Sequence, residues 1–220
     1  MLISLKIILI SLKHKLNNFK IILIIYTSNL LVEQEMVTII DEMTSLLIEH
    51  SRILYQVISD MGVYYTSWQE AKKSNQKNLA KKKAKLLLLE EDADSIKIRL
   101  IKEFSEASAQ GVGDYMTLIL RMDNVINSAL EFVDILSHIN AIDQFNEDMK
   151  NTYHKMINNI LEMTNTLKLA IKNLRDNPQE VFKNTTTIHE LENEIDLIFR
   201  DFLDYLYNKE DMDIRLLLRI

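Results

Sequence analysis

Five carboxylates stand at spacings that could hold a cation: Glu90 and Asp94, Glu192 and Asp196, and Asp123. The first pair lies in Leu89-Glu90-Glu91-Asp92-Ala93-Asp94-Ser95-Ile96. The second lies 102 residues later, in Leu191-Glu192-Asn193-Glu194-Ile195-Asp196-Leu197-Ile198. On a helix, residues four apart stack one turn above the other. Each pair also sits one residue past an apolar stripe of helical period: Leu89, Ala93, Ile96, Leu100, Phe104 and Leu191, Ile195, Ile198, Phe202, Leu206. Both pairs are therefore expected at the rim of a core, where like charges repel in a low dielectric and a di- or trivalent cation removes the cost. Oxygen ligands alone suit Mg, Ca, Mn or ferric iron. Two side chains leave most of a six-ligand shell to water, so a site needs acids from a second helix. The line Asp123, Asn127, Glu131, Asp134 supplies them, and Glu90 and Asp94 are expected near Asp123 and Glu131. The plainer reading is a solvated acidic flank.

The elements that must position these groups are all helices. Three Gly and one Pro in 220 residues leave long helices and almost no strand-turn architecture. Apolar periodicity predicts helices over about Val32–Trp68, over the segment that carries Leu86 to Phe104, and over Tyr115–Ser137, Ala141–Leu174 and Pro178–Asn208. Gly62 is a candidate early end for the first, and Ser74-Asn75 a turn. Gly111–Gly113 is a break that Asp114 caps, and Asp176-Asn177-Pro178 a stop and restart. The Met149, Tyr153, Met156, Ile160, Met163 stripe reads as core filling. His50, alone on its helix, reads as solvated or hydrogen-bonded. Lys72 to Lys85 reads first as a solvated helix start and second as an anion-facing patch. The tail from Asp211 echoes Asp114 to Arg121 and then stops, which predicts a duplicated unit whose last helix is cut short.

Composition removes several classes. No Cys excludes disulfides, thiolate metal sites and thiol catalysis. A net charge of −6 disfavours a general nucleic-acid binder. No Glu-x-x-His pair, phosphate loop or nucleophile elbow occurs, and His189-Glu190 lacks the second His of a zinc-protease motif. No enzyme is expected. The first 32 residues hold four Lys and no acid, leaving the rest of the chain at −10. Their two apolar runs, Leu2–Leu12 and Ile21–Tyr26, are too short to span a bilayer. Residues 1–32 are set outside the core, as an extension preceding a start at Met36, a membrane-surface segment, or a piece packed on the bundle.

Taken together, Glu90/Asp94, Glu192/Asp196 and Leu118-Ile119-x-x-Met122-Asp123-x-Val125-x-Asn127 resemble the PhoU superfamily, and within it the branch of PhoU-like accessory proteins of Pit-type phosphate transporters. The resemblance covers about residues 33–220. It implies an all-α, elongated helical bundle of two pseudo-repeated three-helix units, about 33–137 and 141–220, with the last helix truncated. It implies metal capacity at Glu90, Asp94, Asp123, Glu192 and Asp196, for Fe, Mn, Zn or Mg ions. It further implies a cytoplasmic regulator, peripheral to the membrane, that docks on a Pit-type phosphate transporter. Asn127 stands where that family usually has Asp, the Gly111–Gly113 loop lacks the usual proline and arginine, and the final helix stops before its own D-x-x-x-D. A homo-oligomer is expected, with Leu216–Leu218 buried against another helix. The alternative is a structural helical interaction protein without metal.

Overall fold

A computed structural model describes residues 4–7, 34–70, 76–106, 112–139 and 145–209. Five long helices are described: α1 (Gln34–Gln69), α2 (Gln76–Glu106), α3 (Val112–His138), α4 (Glu147–Asp176) and α5 (Pro178–Tyr207). A short helical stretch covers residues 4–7, and no strand occurs among the described residues. The fold is an all-α helical bundle.

α1 is the hub. It packs on α2, α3 and α4; α2 also packs on α3, and α4 on α5. α1 and α4 run antiparallel, since Tyr65 meets Tyr153 while the Lys168 ammonium lies 3.8 Å from the centroid of the Tyr55 ring. The helical stripes explain this arrangement. Met43, Leu47, Leu54, Val57 and Ile58 of α1 are buried, as are Leu118, Met122, Ile126 and Val133 of α3 and Met149, Met156, Ile160 and Met163 of α4. Each helix hides one apolar face and leaves its charged face in water.

Gly62 does not end α1. A Cβ there would lie 3.3 Å from Ile157 Cγ2, so the missing side chain lets α4 approach. That close packing offsets the roughly 1 kcal/mol that glycine costs inside a helix. α3 starts at Val112, so Asp114 lies in its first turn rather than preceding it. α4 starts at Glu147 rather than near Ala141. The Asn146 carboxamide accepts from the Met149 amide at 3.0 Å, which satisfies one of the free donors at the helix start. Asn177 and Pro178 divide α4 from α5 as expected.

At one end, Tyr65, Trp68, Phe132, Phe145, Tyr153 and Phe202 form a chain of ring contacts 5.3–6.4 Å apart that ties α1, α3, α4 and α5 together. Tyr153 is fully buried there, and burial pushes its hydroxyl well above the usual range. Ser74-Asn75, Gly111, Ala141 and Leu216–Leu218 lie outside the described residues, as does the side chain of Phe104.

Candidate functional site

α2 and α3 lie antiparallel, held by Lys83–Asp134 at 2.7 Å near one end and Lys97–Asp123 at 3.0 Å nearer the other. That register brings the first carboxylate pair to Asp123. Asp123 is 6% exposed, and Glu90 and Asp94 are half-buried above it. The group that joins them is Lys97, one turn past Asp94. Its ammonium bonds to Asp94 Oδ1 and to Asp123 Oδ2. Asn127 donates from Nδ2 to the same Asp123 oxygen at 3.4 Å.

The electrostatics follow from this packing. Burial raises the Asp123 carboxyl above its usual range; the Lys97 ammonium opposes the rise and the Asp94 charge adds to it. Glu90 is raised by burial, then by the charges of Asp94 and Asp123. Burial alone would lower Lys97, but its bonds to Asp94 and Asp123 outweigh that and hold the ammonium raised. Glu131 is exposed and is not among the charges acting on Glu90, so the expected fourth acid stands apart.

The centre between Asp94 and Asp123 is filled by an ammonium that neutralises both. Among the described residues no three His, Asp or Glu side chains are grouped so as to hold a metal ion. As arranged, the cluster is a carboxylate–ammonium–carboxylate bridge and does not fit a metal. Lys97 is the residue that sequence reasoning missed. Its signal was present: a lysine three residues after Asp94 lies on the same helix face.

The second pair sits differently. Glu192 is 0% exposed, inside the seam rather than at its rim, and its Oε2 lies 3.1 Å from His189 Nδ1 on the same helix. Asp196 is half-buried, and its backbone carbonyl accepts from Arg200 Nε at 3.1 Å. Among the described residues the one extensive helical neighbour of α5 is α4, whose buried side is mostly Met, Ile and Leu with Thr164 and Thr166. The structure thus brings Glu90, Asp94 and Asp123 together, and no helix among the described residues plays the part of α3 for Glu192 and Asp196.

Three other sequence readings are placed. His50 is buried, which leaves the hydrogen-bonded and not the solvated half of that expectation. Lys83 and Lys85 are ion-paired to Asp134 and Asp60 at 2.7 Å, which makes them ties between helices rather than an open anion patch. No helix among the described residues is long and apolar enough to cross a membrane. Comparison with protein-family models, curated proteins and solved structures finds no match.

Proposed function

We propose that this chain is a non-catalytic helical regulator that docks on a Pit-type phosphate transporter, and that it is built from two related three-helix units. The observation that carries this reading is the convergence of Glu90 and Asp94 of α2 with Asp123 of α3. That juxtaposition is the one the repeated motif and the PhoU resemblance require. The antiparallel pairing of α1 with α4 supports the duplication, since a twofold relation between two units would place their first helices so.

Docking would use the outward stripe of α2. Leu87, Glu91, Asp94, Ile98 and Ile101 follow one another at steps of four and three. Leu87, Ile98 and Ile101 are exposed large apolar side chains, as is the neighbouring Leu88. Scattered exposed apolar residues are ordinary, but three in one line beside an acid cluster make a surface for a partner helix. Tagged protein passed over detergent-solubilised membranes should retain a phosphate permease. Leu87→Asp with Ile98→Asp should abolish the retention. Recovery of no permease, or equal recovery with both substitutions, sinks the proposal.

The second reading is a structural interaction protein without metal, and Lys97 favours it because the acid cluster already holds its own cation. Metal content separates the two readings. Stoichiometric Fe, Mn, Zn or Mg in the purified chain, lost in Glu90→Ala plus Asp94→Ala, supports a metal-dependent regulator. Trace metal that both substitutions leave unchanged supports the second reading.

A further inference from the structure

We propose that residues 4–7 are an intramolecular docking segment that seats on α5 through Leu5 and Lys6, closing a seam that α4 closes only in part. This goes beyond the transporter reading and does not depend on it.

The argument starts from what two helices can bury. A seam between a single antiparallel pair is open to water along both edges. Yet Glu192, Ile195, Phe199 and Phe202 of α5 are all buried, although among the described helices α5 packs extensively on α4 alone. Such burial needs a third wall. In the α1–α2–α3 group, α3 is that wall for α2. At α5 the described residues that reach the seam are at the chain's beginning. Leu5 is 2% exposed, part of the buried apolar core. Ser4 is buried beside it, while Lys6 and Ile7 face outward. The Lys6 ammonium lies 4.3 Å from the centroid of the Phe199 ring. A cation at that distance is attracted to the ring face.

Charge agrees with the placement. Residues 1–32 carry four lysines and no acid, and α5 carries seven acids against Lys183 and Arg200. Lys6 thus brings a positive charge to an acidic helix with an apolar seam. The occupant is residues 4–7 of this chain in cis. While seated, it denies the Phe199 end of α5 to any other helix.

The chain contains no cysteine, so introduced thiols report without background. Full-length protein carrying Lys6→Cys and Phe199→Cys is treated with a short bismaleimide. The expected product is a cross-link within one chain, with a yield independent of protein concentration. The control pair Lys6→Cys with Leu88→Cys, on the outer side of α2, should give none. Cross-links found only between chains, or a yield no higher than the control's, overturn the proposal. A second measurement follows maleimide labelling of the F199C thiol in otherwise native protein. Adding Leu5→Asp should speed labelling at least tenfold. If Leu5→Asp prevents folding, Lys6→Ala takes its place with a smaller expected acceleration. An unchanged labelling rate in the folded variant also overturns the proposal.

Discussion

The same eight-residue pattern appears twice in this chain and lands in two different environments. At Glu90 and Asp94 the pattern lies at the rim, answered by Lys97 and by Asp123 from α3. At Glu192 and Asp196 the first acid is swallowed by the seam and answered by His189 from its own helix. The acid spacing within α2 and α5 is identical, so the difference comes from the residues around it: Lys97 and Asp123 at the first pair, His189 at the second. α2 has α3 along its flank, with an aspartate at the right height. α5 has α4 on one side and Leu5 and Lys6 near Phe199. Motif spacing sets which side chains share a face; the neighbour sets what that face can do.

The sharpest way to break the comparison is to remove the cation that bridges the first site. Lys97→Met leaves Asp123 buried with Asp94 and Glu90 nearby and no positive charge between them. Stripping one partner from a buried ion pair costs on the order of 3 kcal/mol, whereas replacing the whole pair with apolar residues is often neutral. Urea unfolding should therefore show a loss of about 3 kcal/mol in Lys97→Met, and most of it restored in Lys97→Met with Asp123→Leu. If Mn²⁺ or Mg²⁺ restores Lys97→Met to the same extent, the acid cluster can take a metal once its lysine is gone. A single substitution with no measurable cost would mean that Lys97 is not the bridge.

The next effect belongs to the second site. Glu192→Ala removes a wholly buried side chain and leaves both a cavity and a disturbed His189. Truncations of that kind cost about 2 kcal/mol or more. The same change at Glu90 removes a half-exposed side chain. The two midpoints in urea should differ in that order, and equal losses would erase the contrast between the sites.

A smaller effect is the pH response of Asp123. Its carboxyl is raised by burial, so the folded chain holds that proton more tightly than the unfolded chain does. Stability from this group is then highest at low pH. It falls as pH rises from the ordinary aspartate range, near 3.9, through the folded value. Asp123→Asn should flatten that part of the stability profile while the rest of the curve is unchanged. An unaltered slope between pH 4 and neutrality, set here as roughly the window above the ordinary aspartate range, contradicts the burial argument.

Much of this was legible in the residues. The apolar stripes gave all five helices and most of the core, because a 3.6-residue period has one buried solution on a helix. Asn177-Pro178 was readable because proline sets the first helical turn without needing its missing amide. Gly62 was not, since its value lies in the approach of Ile157, an atom 95 residues away in sequence. The start of α4 was placed too early because apolar spacing continued upstream, while the side chain that stops the helix there is Asn146. At the candidate site the pairing of Glu90 and Asp94 with Asp123 was readable from two acid lines of equal period. The exclusion of Glu131 was not, because it depends on the register of α2 against α3, which Lys83 and Lys97 set. The burial of Glu192 also escaped, since the eight-residue pattern that holds it matches the one that holds Glu90.

The mildest substitution tests the comparison most finely. Glu90 sits beside Asp94 and Asp123, and its raised carboxyl comes from burial and from those two like charges, with Lys97 only partly compensating. Glu90→Gln keeps the side chain's length and removes its share of the repulsion. The expected result is a gain of a few tenths of a kcal/mol at neutral pH, since a half-exposed carboxylate is well screened. The gain should vanish near pH 4, roughly the ordinary glutamate range, where Glu90 itself carries a proton. It should shrink without vanishing in the Asp123→Asn background, because Asp94, the larger of the two like charges, remains. Glu192→Gln has no such neighbour to relieve among the acids of α2 and α3, and its buried carboxylate meets His189 instead. Gln at that position should therefore destabilise, and opposite signs at two positions of one repeated motif would show in a single pair of melts that the surroundings of each acid, not the motif, decide its role.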